Sequence, residues 1–244
     1  VINALPMEYR YTAIVLKKKE VGETDRLYTF YTKEQGKVRA VAKGIRKSGA
    51  KLASQLENGT LADVAVARTR GTGKITGALA EEYYPKLRDQ LEILHVVLIT
   101  LDRFERLVHF DEPDERLYLL LVDFLQYAEK SAQEKNMETA RLLGAAFLFQ
   151  SIAHLGYSME VHVSAVSGKQ FLGHERFFFS PAQGGVVLPD ECGDIPALLI
   201  QRNTIKLLRV FQRHSFSALL KIRATTNDVR ELERIVKHLF EWVL

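Results

Sequence analysis

The sequence predicts an α+β chain in two parts: a small five-stranded barrel over residues 1–84 and a helical domain over residues 85–244. Three observations predict it. Up to residue 84 the apolar residues alternate with polar ones, or gather in short β-branched and aromatic runs between turn residues. From Pro85 the apolar spacing changes to steps of three and four. The charge also changes sign near this point. Residues 1–80 carry 15 Lys and Arg against 7 Asp and Glu, a balance of +8, and the net charge of +4 leaves −4 for the rest. A basic part joined to a mildly acidic remainder suggests a polyanion-binding module on a scaffold.

The elements run in this order. YTAIVLKKK (11–19) is an apolar run ending in three lysines, and VGETD (21–25) carries turn chemistry. RLYTFYTKE (26–34) has strand composition, and Gln35-Gly36 turns into a basic strand. In that strand Val38, Ala40 and Ala42 alternate with Lys37, Arg39 and Lys43, which predicts one packed and one cationic face. TLADVAVART (60–69) alternates again, and GTGKITGALAEEYY (71–84) supplies a fifth strand. Five short strands suggest an OB-fold barrel, which binds oligonucleotides on a barrel face and its loops.

Leu87, Leu91, Leu94, Leu98, Leu101 and Leu107 then predict one long amphipathic helix. DEPDE (111–115) breaks it, and Asp114 is a candidate cap for a helix over 115–132. A third helix is expected over 138–155, stopped by Gly156. Residues 157–195 form an irregular insertion with a short hairpin around Gly184-Gly185, and helices resume over 196–212 and 228–243. There is no apolar run of about eighteen residues to cross a membrane. The opening VINALPMEYR has no signal-peptide pattern, and residues 1–6 read as a tag remnant or optional arm. The single cysteine excludes an internal disulfide and fits a reducing, cytoplasmic setting.

The candidate phosphate-binding residues are Lys17, Lys18, Lys19, Arg26, Lys37, Arg39, Lys43, Arg46, Lys47, Lys51, Arg68, Arg70 and Lys74. A solvated sheet edge guarded by lysines has the same pattern, so both readings stand on the residues alone. Tyr28 and Phe30 share one face of their strand and Tyr31 takes the other; one face is core, and the other is free to stack bases. Gly71-Thr72-Gly73-Lys74 is no phosphate loop, because Arg68 and Ile75 occupy the positions that need Gly and Ser or Thr. Neither G-x-S-x-G nor H-E-x-x-H occurs. Asp111, Glu112, Asp114 and Glu115 are explained by capping, and Cys192 lacks a base. His162, His174 and Cys192 are irregularly spaced for zinc. Phe177, Phe178 and Phe179 read as a small satellite core.

The block YRYTAIVLKKKEVGETDRLYTFYTKEQGKVRAVAKGIRKSGAKLASQLE resembles the N-terminal signature of RecO-type DNA repair proteins. The matching pieces are the A-I-V-L run at Ala13–Leu16, G-E-x-D-R-L at Gly22–Leu27, the G-K-x-R-x-V-A-K-G-x-R block within Thr32–Arg46, and L-x-x-x-L-E at Leu52–Glu57. FDEPDERLYLLLVDFL (110–125) and RLLGAAFLFQSIAHLGYSMEV (141–161) resemble the family's interior helices. Many members carry C-x-x-C-G followed by G-G-x-x-C-x-x-C. Here Ser164 and Ser167 stand before Gly168, and only Cys192 follows Gly184-Gly185, at shifted spacing. The insertion therefore resembles a degenerate zinc-finger region, and no metal or other cofactor is expected.

The resemblance implies a non-enzymatic recombination mediator that binds single- and double-stranded DNA and anneals strands. It also implies help in loading RecA onto SSB-coated DNA, with RecR, SSB, RecF and RecA as partners and a nucleoid-associated location. Arg103, Arg106, Arg116 and Arg141, near apolar helix faces, are candidates for the acidic, apolar-tipped SSB tail. An RNA-binding or translation-associated OB protein is the alternative, since composition does not separate the two.

Overall fold

The computed structural model describes residues 7–46, 52–68, 72–173, 175–193, 196–213 and 215–244. The expectations for residues 1–6, Lys47, Lys51, Arg70 and His174 lie outside these. The chain divides into two compact units, Val1–Glu129 and Lys130–Leu244.

In the first unit, β1 (Met7–Val21), β2 (Asp25–Thr32), β3 (Gly36–Ala42), β4 (Leu61–Arg68) and β5 (Gly73–Glu82) close a barrel in the order β1-β2-β3-β5-β4. β1 pairs with both β2 and β4, and the short β3–β5 pairing is parallel. This is the OB-fold expected from five alternating runs. The interior is filled by Tyr11, Ala13, Val15, Tyr28, Phe30, Val38, Ala40, Val64, Val66 and Ile75. Each set repeats every second residue, as one face of a pleated strand requires.

β1 serves two neighbours, β4 along Met7–Ile14 and β2 along Ala13–Val21, and it carries a bulge. Val15 pairs with Phe30 and Lys17 with Thr29, so Leu16 is an extra residue. Without it, the alternation of Tyr11, Ala13 and Val15 would send Lys17 and Lys19 into the barrel. The added residue reverses the facing of the remainder of β1 and turns both lysines outward.

The expected single helix after the barrel is two, α1 (Pro85–Arg88) and α2 (Leu91–Leu107). The Leu periodicity runs through both, but Gln90 leaves helical geometry at φ −118° and ψ 85°. The amides of Lys86 and Leu87 donate instead to the Glu129 carboxylate, at 2.9 and 2.6 Å. Glu129 lies on α3 (Glu115–Gln133), whose first turn is capped by Asp114 through the Leu117 amide at 3.0 Å. The period of the apolar residues changes at 84/85, but the compact unit continues to 129 because these helices pack with the barrel.

α2 covers the outer side of β1–β3 at one end. Tyr31 meets Phe104 edge-on with centroids 5.0 Å apart, and Ile14 is fully buried. All three β2 aromatics are therefore core, Tyr28 and Phe30 inside the barrel and Tyr31 under α2. Lys37 shares this covered region and is 6% exposed. Its ammonium donates to the Glu105 and Val108 carbonyls at 2.5 and 2.8 Å and pairs with the Glu105 carboxylate at 3.1 Å.

The second unit is built around α4 (Met137–His154), which is buried on nearly every side from Thr139 to Ile152. Asn136 caps it, and Gly156 follows its end at φ 103°. α5 (Arg202–Arg213), α6 (Phe216–Leu219) and α7 (Thr226–Val243) pack on it. The insertion holds β6 (Arg176–Ser180) and β7 (Gly185–Val187), the expected hairpin. β8 (Leu198–Gln201) also pairs with β6, where a helix was expected to begin at 196. The short apolar run LLIQ suits either state, and the open edge of β6 decides for strand. Phe177 and Phe179 are fully buried, while Phe178 on the other face is partly exposed. Gly185, at φ 150°, has the Glu160 carbonyl oxygen well inside contact distance of where a Cβ would stand. A side chain there would push the hairpin off residue 160.

Removing the Lys37 side chain strands the Glu105 carboxylate in a region where both partners are about nine-tenths buried. Lys37→Ala should cost about 3 kcal/mol in urea unfolding. Lys19→Ala, on the exposed surface, should stay within about 0.5 kcal/mol of wild type.

Candidate nucleic-acid interface

The cross-strand register sorts the candidate cations. Lys17 is opposite Thr29, which is opposite Arg39, so one row crosses β1, β2 and β3. The next row outward from α2 is Lys19, Leu27, Val41 and, across the parallel pairing, Lys74. Residues directly opposite point to the same side of a sheet. Lys17, Arg39, Lys19 and Lys74 thus share the outer face, around the half-buried Leu27 and Val41, and all four are exposed. Lys43 is exposed in the turn just past β3. This is the part of the β1–β3 face that α2 leaves open.

The remaining candidates lie elsewhere. Lys18, one residue out of phase, pairs with Glu57, while Arg26 and Arg46 both reach Glu20, at 3.8 and 3.2 Å. These three occupy the barrel end where β1 finishes. Arg68 is at the opposite end, bound to Asp111 at 3.2 Å, and that hydrogen bond raises its guanidinium pKa further. Lys37 is a tether between barrel and helix, since its ammonium is already spent on buried acceptors. Lys47, Lys51 and Arg70 are outside the described residues.

The exposed row is only loosely tied down. Lys17 meets Asp102 at 2.6 Å, with both side chains about half exposed. Arg39 reaches Glu105 at 3.7 Å and is 45% exposed. The Lys17–Asp102 pair is solvent-exposed and worth roughly 0–1 kcal/mol, so a phosphate can replace that carboxylate; the buried Glu105 carboxylate has Lys37 as its nearer partner, at 3.1 Å. Arg39 also stands over the Phe110 ring, 4.5 Å from its centroid. Phe110 is the residue that the sequence pattern did not single out; its signal was a lone aromatic between the end of α2 and the DEPDE break.

Two of the carboxylates at 111–115 have structural roles. Asp111 accepts from Arg68 and from the Gln35 amide, and Asp114 caps α3. Arg103 and Arg106 are on α2 and Arg116 is in the first turn of α3. Arg141, in the second unit, is held by Glu233 and Glu138.

Among its described residues, the second unit's insertion offers no zinc donor set. Ser164, buried, donates through its hydroxyl to the Glu191 carboxylate, and Ser167 lies in the adjoining turn. Hydroxyls in place of thiolates, already bonded to a carboxylate, fit no tetrahedral zinc centre. Among the described residues no group of three or more His, Cys, Asp and Glu is arranged to hold a metal ion. The same residues close the insertion by hydrogen bonds. Neither is there a helix long and apolar enough to cross a membrane among the described residues.

A closed five-stranded barrel with cations in register on its open face, followed in the chain by a helical second unit, is an OB-fold arrangement. The chain belongs to the recombination protein O (RecO) family. The family's N-terminal domain, described as Recombination protein O N terminal, matches residues 7–84, and Recombination protein O C terminal matches residues 97–244. A protein named DNA repair protein RecO from Dehalococcoides mccartyi is 25% identical over 239 residues, covering 98% of this chain and 92% of its own. Those of Bifidobacterium longum and Frankia casuarinae are 27% and 29% identical, covering 96% and 97% of this chain and 91% and 93% of their own.

The Ser164 and then the Ser167 hydroxyl hold the Glu191 carboxyl below its usual pKa. The resulting stabilisation is fully present above the free value of about 4.3 and is lost as pH falls through the lower folded value. Glu191→Ala should therefore melt several degrees below Asp190→Ala at pH 7, with the gap closing in acid. A chelator should leave both melting curves unchanged.

Proposed function

We propose that this chain is a recombination mediator of DNA repair that binds DNA through the open outer face of its barrel, without regard to sequence and without covalent catalysis. The observation that carries the reading is the register of Lys17 with Arg39 and of Lys19 with Lys74 on that face. Family membership gives the reading its biological setting, since the relatives are named DNA repair proteins. Cations at strand spacing meet phosphates and release counterions, and the side chains beside them, Leu27 and Val41, offer no base-edge hydrogen bonds.

Sequence-independent contact of this kind suits the finer roles the resemblance implies: binding both single and double strands, annealing complements by screening their charge, and helping RecA onto SSB-coated strands. RecR, SSB, RecF and RecA are the partners in that scheme, and a nucleoid-associated location accords with DNA binding. For the SSB tail, Arg103, Arg106 and Arg116 remain the candidates. Arg141 is also a candidate, and its guanidinium is paired with two carboxylates.

The test is a salt titration of binding to a single-stranded oligonucleotide. For single strands the log–log slope is about −0.7 per phosphate contact. Changing Lys19, Arg39 and Lys74 together to Ala should flatten it by about 2 and weaken binding at low salt. Lys86→Ala, on α1, should change neither. An unchanged slope in the triple variant would contradict the reading, and tighter binding of RNA than of DNA of equal length would redirect it to RNA.

A further inference from the structure

Among the described residues, no aromatic of the barrel strands stands on the open outer face. Tyr28, Phe30 and Tyr31 are each at most 1% exposed. Tyr83 lies beneath Arg88, and Tyr9 lies on the β1–β4 side, paired with Val66. An OB face without an aromatic would bind through phosphates alone and would scarcely distinguish a single strand from a duplex.

Phe110 supplies the missing aromatic from outside the barrel strands. Its backbone forms a parallel bridge with Lys37, and the Asp111 amide donates to the Lys37 carbonyl at 3.0 Å. The segment thus lies beside β3 at the edge that β5 leaves unpaired. Bridge partners in parallel strands point to the same side, so Phe110 follows Lys37 to the outer face. Gly36 permits the close approach. It sits at φ 69°, and the Glu112 carbonyl oxygen occupies the space its Cβ would need.

The ring is placed between two needs. Lys37 Nζ and Arg39 Cζ each stand 4.5 Å from its centroid, which fixes it by cation–π attraction. Even so, 41% of the residue remains open to solvent. A lone exposed Phe needs no explanation in general. This one is held by backbone and by two cations next to the exposed row, and Arg39 belongs to both.

We infer that Phe110 is a base-stacking subsite for single-stranded nucleic acid, with Arg39 beside it taking the neighbouring phosphate. The ligand class is any unpaired nucleobase, because every base offers a π face. A duplex keeps its base faces inside the stack, so the subsite favours single strands. The inference rests on the outer face being the nucleic-acid interface, as proposed above.

The experiment compares wild type, Phe110→Ala, Phe110→Trp and the Lys19/Arg39/Lys74 triple variant. Each is titrated against an oligothymidine, an abasic oligomer of equal length and a duplex, over a range of salt. Phe110→Ala should weaken oligothymidine binding roughly tenfold, leave its salt slope unchanged, and leave the abasic and duplex affinities alone. Phe110→Trp should restore binding. In a Trp242→Phe background its fluorescence, then the only tryptophan signal in the chain, should be quenched by oligothymidine. Unaltered oligothymidine affinity in Phe110→Ala, with the triple variant impaired, overturns the subsite and spares the interface. Equal losses on thymidine and abasic strands with a flattened slope also overturn it, since the ring would then only position Arg39. No effect from either variant removes both.

Discussion

The buried ammonium of Lys37 sets the layout of the first unit. It ties two carbonyls and a carboxylate from the end of α2 to β3 of the barrel. An unpaired charge there would be prohibitive, so helix and strand are held in one register. The consequences run outward. α2 covers Ile14 and Tyr31, and the open face is confined to the far half of β1–β3. The chain leaving α2 is drawn along β3, which delivers Phe110 to the outer surface and gives Arg39 both a ring and a carboxylate to lean on.

Two kinds of cation result from one basic sequence. Lys37, whose acceptors are buried, holds the fold together. Those on the open rows are at most loosely paired among the described residues and keep their exposure. Only the second kind can trade a carboxylate for a phosphate at little cost. Leu27 and Val41 between them are half-buried and apolar. Of the carboxylates at 111–115, Asp111 is bonded to Arg68 and Asp114 caps α3.

Much of this was legible in the sequence. Strand alternation and turn residues marked out the barrel, and the shift of apolar spacing located the helices. What the sequence hid has identifiable causes. Alternation puts Lys37 and Arg39 on one face, but only a covering helix separates a tether from a contact. The bulge at Leu16 leaves no compositional mark, yet it decides that Lys17 and Lys19 face outward and Lys18 does not. The break at Gln90 is invisible to a leucine period that continues across it. The strand at Leu198–Gln201 depends on an unpaired neighbour far off in sequence, and Phe110 matters because of a β3 edge that no local pattern describes.

The central claim is that the open outer face of β1–β3 meets DNA. The most direct measurement is lysine acetylation footprinting, read residue by residue by mass spectrometry, with and without a single-stranded oligonucleotide. DNA should protect Lys17, Lys19, Lys43 and Lys74, leave Lys86 and Lys237 reactive, and find Lys37 unreactive in both states. Unprotected Lys17, Lys19 and Lys74, with protection confined to the second unit's lysines, would contradict the account.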